Sequence, residues 1–337
     1  MSSRLLIIGP SWVGDTIMAQ ALFKLLKAQN PHQIIDILAP AWTFSLSSRM
    51  PEINQAIEMP FGHGELNLKK RFQIGCTLRN KYDEAIILPN SYKSALIPFF
   101  AKIPKRTGYL GEWRYGVLND VRYGNKKKYP LMVEQYLRLG FGSSHTLPHS
   151  YPKPQLFVST DMQEAVLNKH LPLWRDRSIL AMAPGAEFGP AKRWPLEYYA
   201  HLANQKIDKG WDVWLMGSNK DRSITNEIMT LTQNRCENLA GRPNLAETID
   251  LLSLVTGVVT NDSGLMHIAA ALNKPVIVMY GPSSPSFTPP LSDQATILKL
   301  NLSCQPCFKR TCPLIHHQCM RDLKVGCVLD AMNKWAQ

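Results

Sequence analysis

No apolar stretch in this chain approaches the roughly 20 residues needed to cross a bilayer. The first apolar run, Leu5 to Pro10, is too short for a leader peptide and lacks a basic flank and a cleavage site. Together these absences lead us to expect a cytoplasmic protein. No Asp-x-Asp pair occurs, so the carboxylate spacing many sugar-nucleotide enzymes use to hold a divalent cation is missing. We therefore expect no metal in the chemistry. No G-x-G-x-x-G follows a strand, which weighs against a dinucleotide dehydrogenase. RNA-binding signatures, internal repeats and low-complexity segments are also lacking.

The chain has 337 residues, 45% of them hydrophobic, and that length suggests two domains, each able to bury a core. We expect them at residues 1–160 and 161–337. The net charge of +12 is uneven: residues 1–160 hold 20 Lys+Arg against 10 Asp+Glu, and the remainder 18 against 16. Clusters include Lys69-Lys70-Arg71, Lys105-Arg106 and Lys126-Lys127-Lys128. Such charge is either a solvated surface or a face that meets a polyanion: anionic lipid, a phosphorylated glycolipid or, least of the three, nucleic acid.

Strand-like apolar runs recur at Leu5–Ile8, Ile34–Leu38 and Ala85–Leu88, then at Ile179–Ala183, Val213–Met216, Val255–Thr260 and Val276–Tyr280. Helical spacing falls between them at Asp15–Ala28, Pro195–Gln205, Ser223–Thr232, Leu245–Leu254 and Leu265–Leu272. Alternation of this kind means parallel sheets with right-handed crossovers. The run "HTLPHSYPKPQLF" reads as a stiff linker near the midpoint. The expected fold class is α/β: two doubly wound, Rossmann-like domains facing across a cleft.

Four strand ends in the second half carry loop chemistry suited to a nucleotide diphosphate. In "VVTNDSGLMHIAAAL" a strand ends near Thr260, and Asp262-Ser263-Gly264 turns into a helix. Exposed amides and the dipole at that helix start favour phosphate. Ser263 adds a hydroxyl, Gly264 permits close backbone approach, and His267 lies one turn inside. The plainer reading makes Asp262 or Ser263 a helix cap and His267 a surface residue. In "APGAEFGPAKRWP" the small residues Gly185, Ala186 and Gly189 precede Lys192, a candidate diphosphate contact or simply a solvated lysine. In "WLMGSNKDR" Gly217 ends a strand and Asp221 is placed to reach a ribose hydroxyl. "VMYGPSSPSFTPP" offers a rigid wall after Gly281.

The first half opens with "LLIIGPSWVGDT", spaced like a phosphate-binding loop but with Asp15 where that loop needs a lysine. A carboxylate there would repel phosphate. It fits a general base that takes a proton from an acceptor hydroxyl, or a residue that merely caps the following helix.

The tail is the last unusual feature. Five of the seven cysteines fall in residues 304 to 327. Cys304, Cys307, Cys312 and Cys319, with His316 and His317, contain one Cys-x-x-Cys pair, a common half of a zinc site. A structural zinc, buried or free thiols and a disulfide all remain open. If zinc is bound, donor binding is expected to survive its loss.

The segments "GPSWVGDTIMAQAL", "LPNSYKSALIPFFAKIPKRTGY", "PGAEFGPAKRWP" and "TNDSGLMHIAAALNKPVIVMYGPSSPSFTPP" resemble the ADP-heptose:lipopolysaccharide heptosyltransferases. These are inverting enzymes of glycosyltransferase family 9 with the GT-B architecture, and the likeness is to those that act second. It implies transfer of L-glycero-D-manno-heptose from ADP-heptose to the first heptose of the lipopolysaccharide inner core. It implies that Asp15 is the base and that Lys192 binds the donor phosphates and stabilises the leaving group. Donor binding extends to Gly185, Ala186, Gly217, Asp221, Asp262, Ser263, Gly264 and His267. Acceptor binding falls to Gly14, Asp15, Asn90, Lys93 and Arg106. The partners implied are ADP-heptose, a phosphorylated inner-core lipid A acceptor and the cytoplasmic face of the membrane. A heptosyltransferase for another core heptose, a nucleotide-sugar epimerase and a non-enzymatic basic surface-binding protein are the other readings.

Overall fold

The computed structural model describes residues 3–62, 64–142, 146–148, 150–174 and 177–336. The chain divides into two compact units, Met1–Pro154 and Gln155–Gln337. The division falls inside the proline-bearing run, of which His145 and His149 lie outside the described residues.

The first unit holds six parallel strands: β1 (Arg4–Ile8), β2 (Ile34–Ala39), β3 (Gln55–Glu58), β4 (Glu84–Ile87), β5 (Lys105–Tyr109) and β6 (Asp120–Arg122). Their order is β3-β2-β1-β4-β5-β6. The second unit holds β7 (Ile179–Ala183), β8 (Asp212–Leu215), β9 (Glu237–Asn238), β10 (Gly257–Asn261), β11 (Val276–Tyr280) and β12 (Ala295–Lys299). Their order is β12-β11-β10-β7-β8-β9. Counted from its own first strand, the second sheet repeats the order of the first. This is the doubly wound pattern in which the chain reverses direction between the first and fourth strands, and ligands bind above that switch point.

The middle strands are buried on both faces and so read as continuous apolar runs. One exception is informative. Asp36, in the middle of "IIDILA", is fully buried. Its carboxylate accepts hydrogen bonds from Arg4 Nη2 at 3.0 Å, Asn54 Nδ2 at 2.8 Å and the Tyr82 hydroxyl at 2.8 Å. Those donors come from β1, the turn before β3 and the turn before β4. The charge thus ties the sheet together at the edge away from the ligand-binding side.

Each unit has its own core. In the second, Trp194, Tyr199 and Met279 pack with Met320, Leu323, Val328 and Met332 from beyond residue 300. The Trp194 indole donates to the Leu323 carbonyl at 2.7 Å. The C-terminal segment is therefore part of this core rather than an appendage.

Two arginines of the first unit are buried with their guanidinium groups turned to carbonyl oxygens. Arg71 donates to Leu66, Lys93 and Glu65 carbonyls and lies 4.2 Å from the Phe61 ring centroid. Arg114, fully buried, donates to the carbonyls of Tyr109 and Pro89 and to the Ser94 hydroxyl. Burial holds both guanidiniums below their usual range, Arg114 at about 10. These charges hold the loops after β3, β4 and β5. Arg114→Met should lower stability by about 1–3 kcal/mol, because the loop carbonyls lose charged donors and stay buried. Urea unfolding measures this, and an unchanged midpoint would show that the loops do not depend on the guanidinium.

Candidate active site

In the second unit the switch point lies between β7 and β10. After β7 the chain runs through Pro184, Gly185 and Ala186 to a short helical turn, Pro190–Lys192. After β10 it turns through Asp262 and Ser263 into the helix Gly264–Ala271. Buried Asn261 joins the two loops. Its Nδ2 donates to the carbonyls of Pro184 at 2.8 Å and Gly185 at 3.2 Å, while its Oδ1 accepts from the Trp194 amide at 3.0 Å and the Tyr199 hydroxyl at 3.2 Å. Sequence reasoning passed over Asn261. The signal available was a lone amide at the end of an otherwise apolar strand.

Lys192 Nζ donates to Asp262 Oδ2 at 2.5 Å, with side chains only 15% and 6% exposed. An ion pair so little hydrated is held by both partners, and removing one leaves a costly buried charge. Asp262 is thus placed to orient Lys192 rather than to face a phosphate itself. Ser263 occupies the cap position of the following helix, but its side chain makes no capping bond. Its hydroxyl pairs instead with Thr260 Oγ1 at 3.1 Å. The first-turn amides at Gly264 are left without a side-chain cap, as an anion site requires.

His267 is buried rather than on the surface, and burial pushes its pKa down to about 4, against the pull of Asp262 and with the help of Lys192. It is neutral at pH 7. Asp221 lies against the first loop: a Cβ on Gly185 would sit 2.2 Å from Asp221 Oδ1. Its Oδ2 accepts from the Ser218 amide at 2.9 Å and hydroxyl at 2.8 Å. Gly185 and Gly217, whose Cβ would meet Asp221 at 3.0 Å, are required by that approach. Ala186 is buried beside them. All the residues expected to bind donor therefore sit on the carboxyl edge of one sheet.

In the first unit the switch point lies between β1 and β4, and above it opens a cavity of about 660 Å³. Asp15, Asn90 and Lys93 line it, together with Tyr109, Glu112 and Tyr136. Asp15 stands in the first turn of the helix Val13–Gln29, whose cap position, Trp12, makes no side-chain cap bond. Among the described residues no side chain donates to its carboxylate, and burial raises its pKa from 3.8 to about 6. The neighbouring Tyr136 phenol is held well above its usual pKa by burial and by Asp15, so it stays protonated. Gly14 precedes Asp15 in the same turn. Gly9 is dictated by packing, since a Cβ there would lie 2.9 Å from Ile37 Cδ1.

Arg106 is not part of this cavity. It lies at the start of β5, whereas Tyr109 at the other end of that strand lines the cavity. Its guanidinium donates to the carbonyls of Val117 at 2.7 Å and Ile103 at 2.6 Å. It borders a separate groove with Phe72, Arg79, Phe99, Phe100 and Lys102. Among the described residues no group of three or more Cys, His, Asp or Glu side chains is placed so that it could hold a metal ion.

The pattern of glycosyltransferase family 9 (heptosyltransferase) matches residues 71–317. The chain is a family 9 glycosyltransferase. Its relatives in that family include lipopolysaccharide heptosyltransferase 2 of Escherichia coli, 48% identical over 98% of this chain and 97% of that protein. Lipooligosaccharide heptosyltransferase 2 of Haemophilus influenzae is 51% identical over 88% of each chain. The solved structure of E. coli ADP-heptose lipopolysaccharide heptosyltransferase II superimposes with a TM-score of 0.89 at 46% identity, covering 98% of both chains. The two parallel six-stranded sheets are thus those of a GT-B family 9 enzyme.

The state of Asp15 gives a test that does not need substrate. An acid whose pKa rises from 3.8 to about 6 on folding binds its proton more tightly when folded. It favours the fold at acid pH, and that contribution is withdrawn as pH rises through about 4 to about 6. At pH well above 6, Asp15→Asn should therefore stabilise the protein, by about 1–3 kcal/mol. Thermal unfolding of both proteins across pH would show the gap closing on acidification. A variant less stable than the parent at alkaline pH would mean the carboxylate has a partner that favours its charge.

Proposed function

We propose that this glycosyltransferase moves L-glycero-D-manno-heptose from ADP-heptose to the first heptose of the lipopolysaccharide inner core, with inversion at the anomeric carbon. The observation that carries the reading is Asp15: a desolvated carboxylate to which no side chain donates among the described residues, on the wall of a cavity wide enough for a sugar. It takes the proton from the acceptor hydroxyl as that oxygen attacks the anomeric carbon. The bond to the diphosphate breaks on the opposite face, and ADP leaves with a growing negative charge. Lys192 and the uncapped amides at Gly264 meet that charge, with Ser263 as a further donor. Asp262 and Asn261 hold Lys192 and its loop in place. Gly185, Ala186, Gly217 and Asp221 receive the nucleoside, with Asp221 toward the ribose. Neutral His267 serves the donor site as a hydrogen-bonding group rather than a cation.

Gly14, Asn90 and Lys93 are assigned to the acceptor with Asp15. The relatives' names supply the acceptor class: they are lipopolysaccharide and lipooligosaccharide heptosyltransferases. Such an acceptor is phosphorylated and anchored in a membrane. The basic first unit supports peripheral contact with the cytoplasmic face, where each basic residue contributes about 1 kcal/mol. The groove of Phe72, Phe99 and Phe100 beside Arg79, Lys102 and Arg106 has the aromatic and cationic character such contact uses. Among the described residues no helix is long and apolar enough to cross a membrane.

The reading is tested by mass spectrometry of an inner-core acceptor bearing one heptose, incubated with ADP-heptose and the enzyme. A second heptose on the acceptor, with ADP released only when acceptor is present, is expected. ADP release or sugar isomerisation without acceptor would favour the epimerase reading. Asp15→Asn should lower turnover by roughly 10²- to 10⁴-fold with donor affinity unchanged. Lys192→Met paired with Asp262→Asn, which avoids stranding a buried carboxylate, should weaken ADP binding and turnover together. Equal ADP affinity in that double variant would remove Lys192 from the donor site. Since no Asp-x-Asp pair is present, EDTA should leave the rate unchanged.

A further inference from the structure

We propose that Trp113, Tyr115 and Tyr123, with Lys126, Lys127 and Lys128, form the surface that seats the first unit on an anionic lipid bilayer, beside the cavity that holds Asp15. Trp113, Tyr123 and Tyr115 are, at 78%, 72% and 54%, the three most exposed tryptophan or tyrosine side chains among the described residues. All three fall within residues 113–123. The Trp113 and Tyr115 ring centroids lie 6.3 Å apart, and Tyr115 pairs with Tyr123 through their side chains. An exposed aromatic cluster rimmed by charge marks an interaction surface. Tryptophan and tyrosine in particular favour the headgroup level of a bilayer, where an apolar ring and a polar tip are both satisfied.

The backbone holds the indole out. Trp113 has a φ of +54°, a left-handed conformation that a bulky side chain rarely adopts. Its flanks are tied down on both sides. Before it, Gly111 approaches so closely that a Cβ would collide with the Asn90 carbonyl, and the Glu112 amide donates to that carbonyl at 3.2 Å. After it, fully buried Arg114 donates to the Tyr109 carbonyl at 3.0 Å and the Pro89 carbonyl at 2.8 Å. Trp113 is left between two anchored neighbours, facing solvent. A position with such a φ is ordinarily glycine, whereas here it carries the largest of side chains and gives it no core to enter.

Position and charge identify the partner. Tyr109, which ends β5, and Glu112 both line the cavity of Asp15, so Trp113 follows directly from its wall. β6 runs parallel beside β5 with Arg122 opposite Tyr109, so Tyr123 and the lysines after it leave the sheet at the same edge. The groove bordered by Arg106 lies at the other end of β5. Lys126, Lys127 and Lys128 are all exposed, and the Lys128 amine lies 5.4 Å from the Tyr129 ring centroid. Between residues 113 and 129 the sequence holds one acidic residue, Asp120, and Arg122 takes it at 2.8 Å. Net positive charge would suit any polyanion. Rings of this kind beside lysines with apolar stems suit a bilayer, whose interface takes the rings while its anionic headgroups take the amines. Docked in this way, the first unit holds the cavity edge of its sheet toward the lipid.

The consequence for transfer rests on the reaction proposed above; the bilayer contact does not, since it is measured without substrate. The native protein should co-sediment with vesicles of phosphatidylcholine and phosphatidylglycerol, less with phosphatidylcholine alone, and less as salt rises. Lys126→Gln with Lys127→Gln and Lys128→Gln should bind the anionic vesicles roughly 100-fold more weakly. Trp113→Gly relieves the left-handed conformation, so it should melt no earlier than the parent. It should nevertheless bind the vesicles more weakly and lose most of the fluorescence quenching that acyl-brominated lipid causes in the parent. Both variants should keep the parent's rate on a soluble, delipidated acceptor and fall behind it on acceptor embedded in anionic vesicles. Undiminished binding by the lysine variant, or unchanged quenching in Trp113→Gly, would overturn the surface. So would vesicle binding lost instead with Arg79→Gln and Lys102→Gln, in the groove at the other end of β5. Tighter binding to duplex DNA than to anionic vesicles would overturn the choice of partner. Vesicle binding as expected, with transfer to neither acceptor, would count against the proposed reaction and not against the surface.

Discussion

When a parallel sheet is wound outward in both directions from its first strand, the connections leaving the first and fourth strands diverge. The space between them cannot be filled by either connection, and backbone groups at both strand ends are left to face it. Both sheets in this protein have that order, and everything with chemical character collects at the gap it creates. In the first unit the gap becomes a cavity walled by the loops after β1, β4 and β5. In the second it is narrowed by Asn261, which draws the loop after β7 onto the end of β10. The fold fixes where the sites are; the residues at the strand ends decide what they do.

Those residues treat charge in opposite ways. The first site desolvates a carboxylate to which no side chain donates among the described residues, and burial raises the proton affinity of Asp15. The second pairs Lys192 with a carboxylate at 2.5 Å and keeps its histidine neutral. A base needs affinity for a proton near neutral pH, whereas a leaving-group site needs donors held still and little excess field before the charge appears.

How much of this the sequence disclosed follows from what each residue is doing. β1, β2, β4, β7, β10 and β11 were legible because both their faces are buried, so their residues are almost all apolar. β3, β6 and β9 are short strands at or near the sheet edges, with polar residues such as Gln55, Asp120 and Glu237, and they carry no such pattern. The helix Met132–Leu139 was also missed, although its neighbour Gly140 lets the chain press on Leu22, where a Cβ would come within 2.7 Å. Strand direction explains Arg106: it and Tyr109 belong to one short strand, but only the later residue reaches the ligand-binding edge. Asn261 was invisible because its role is to satisfy backbone groups of another loop, which no local spacing reveals.

The loop after β1 shows how little separates one use of this fold from another. Its glycines have the spacing of a phosphate-binding turn, and Gly9 is held to glycine by the side chains of Ile37 and Ala39 on the neighbouring strand. That constraint belongs to the sheet and would apply whatever the loop bound. The helix Val13–Gln29 also presents its positive end to the cavity, as a phosphate site would. A carboxylate near a helix start is ordinarily stabilised in its charged form, so the dipole should lower the pKa of Asp15. Burial wins instead and carries it to about 6. The dipole then limits how far the pKa can rise, and desolvation by the cavity wall limits how far it can fall. A carboxylate whose pKa lies near neutrality is what the two opposed effects leave behind, on a turn whose geometry alone would have suggested a phosphate.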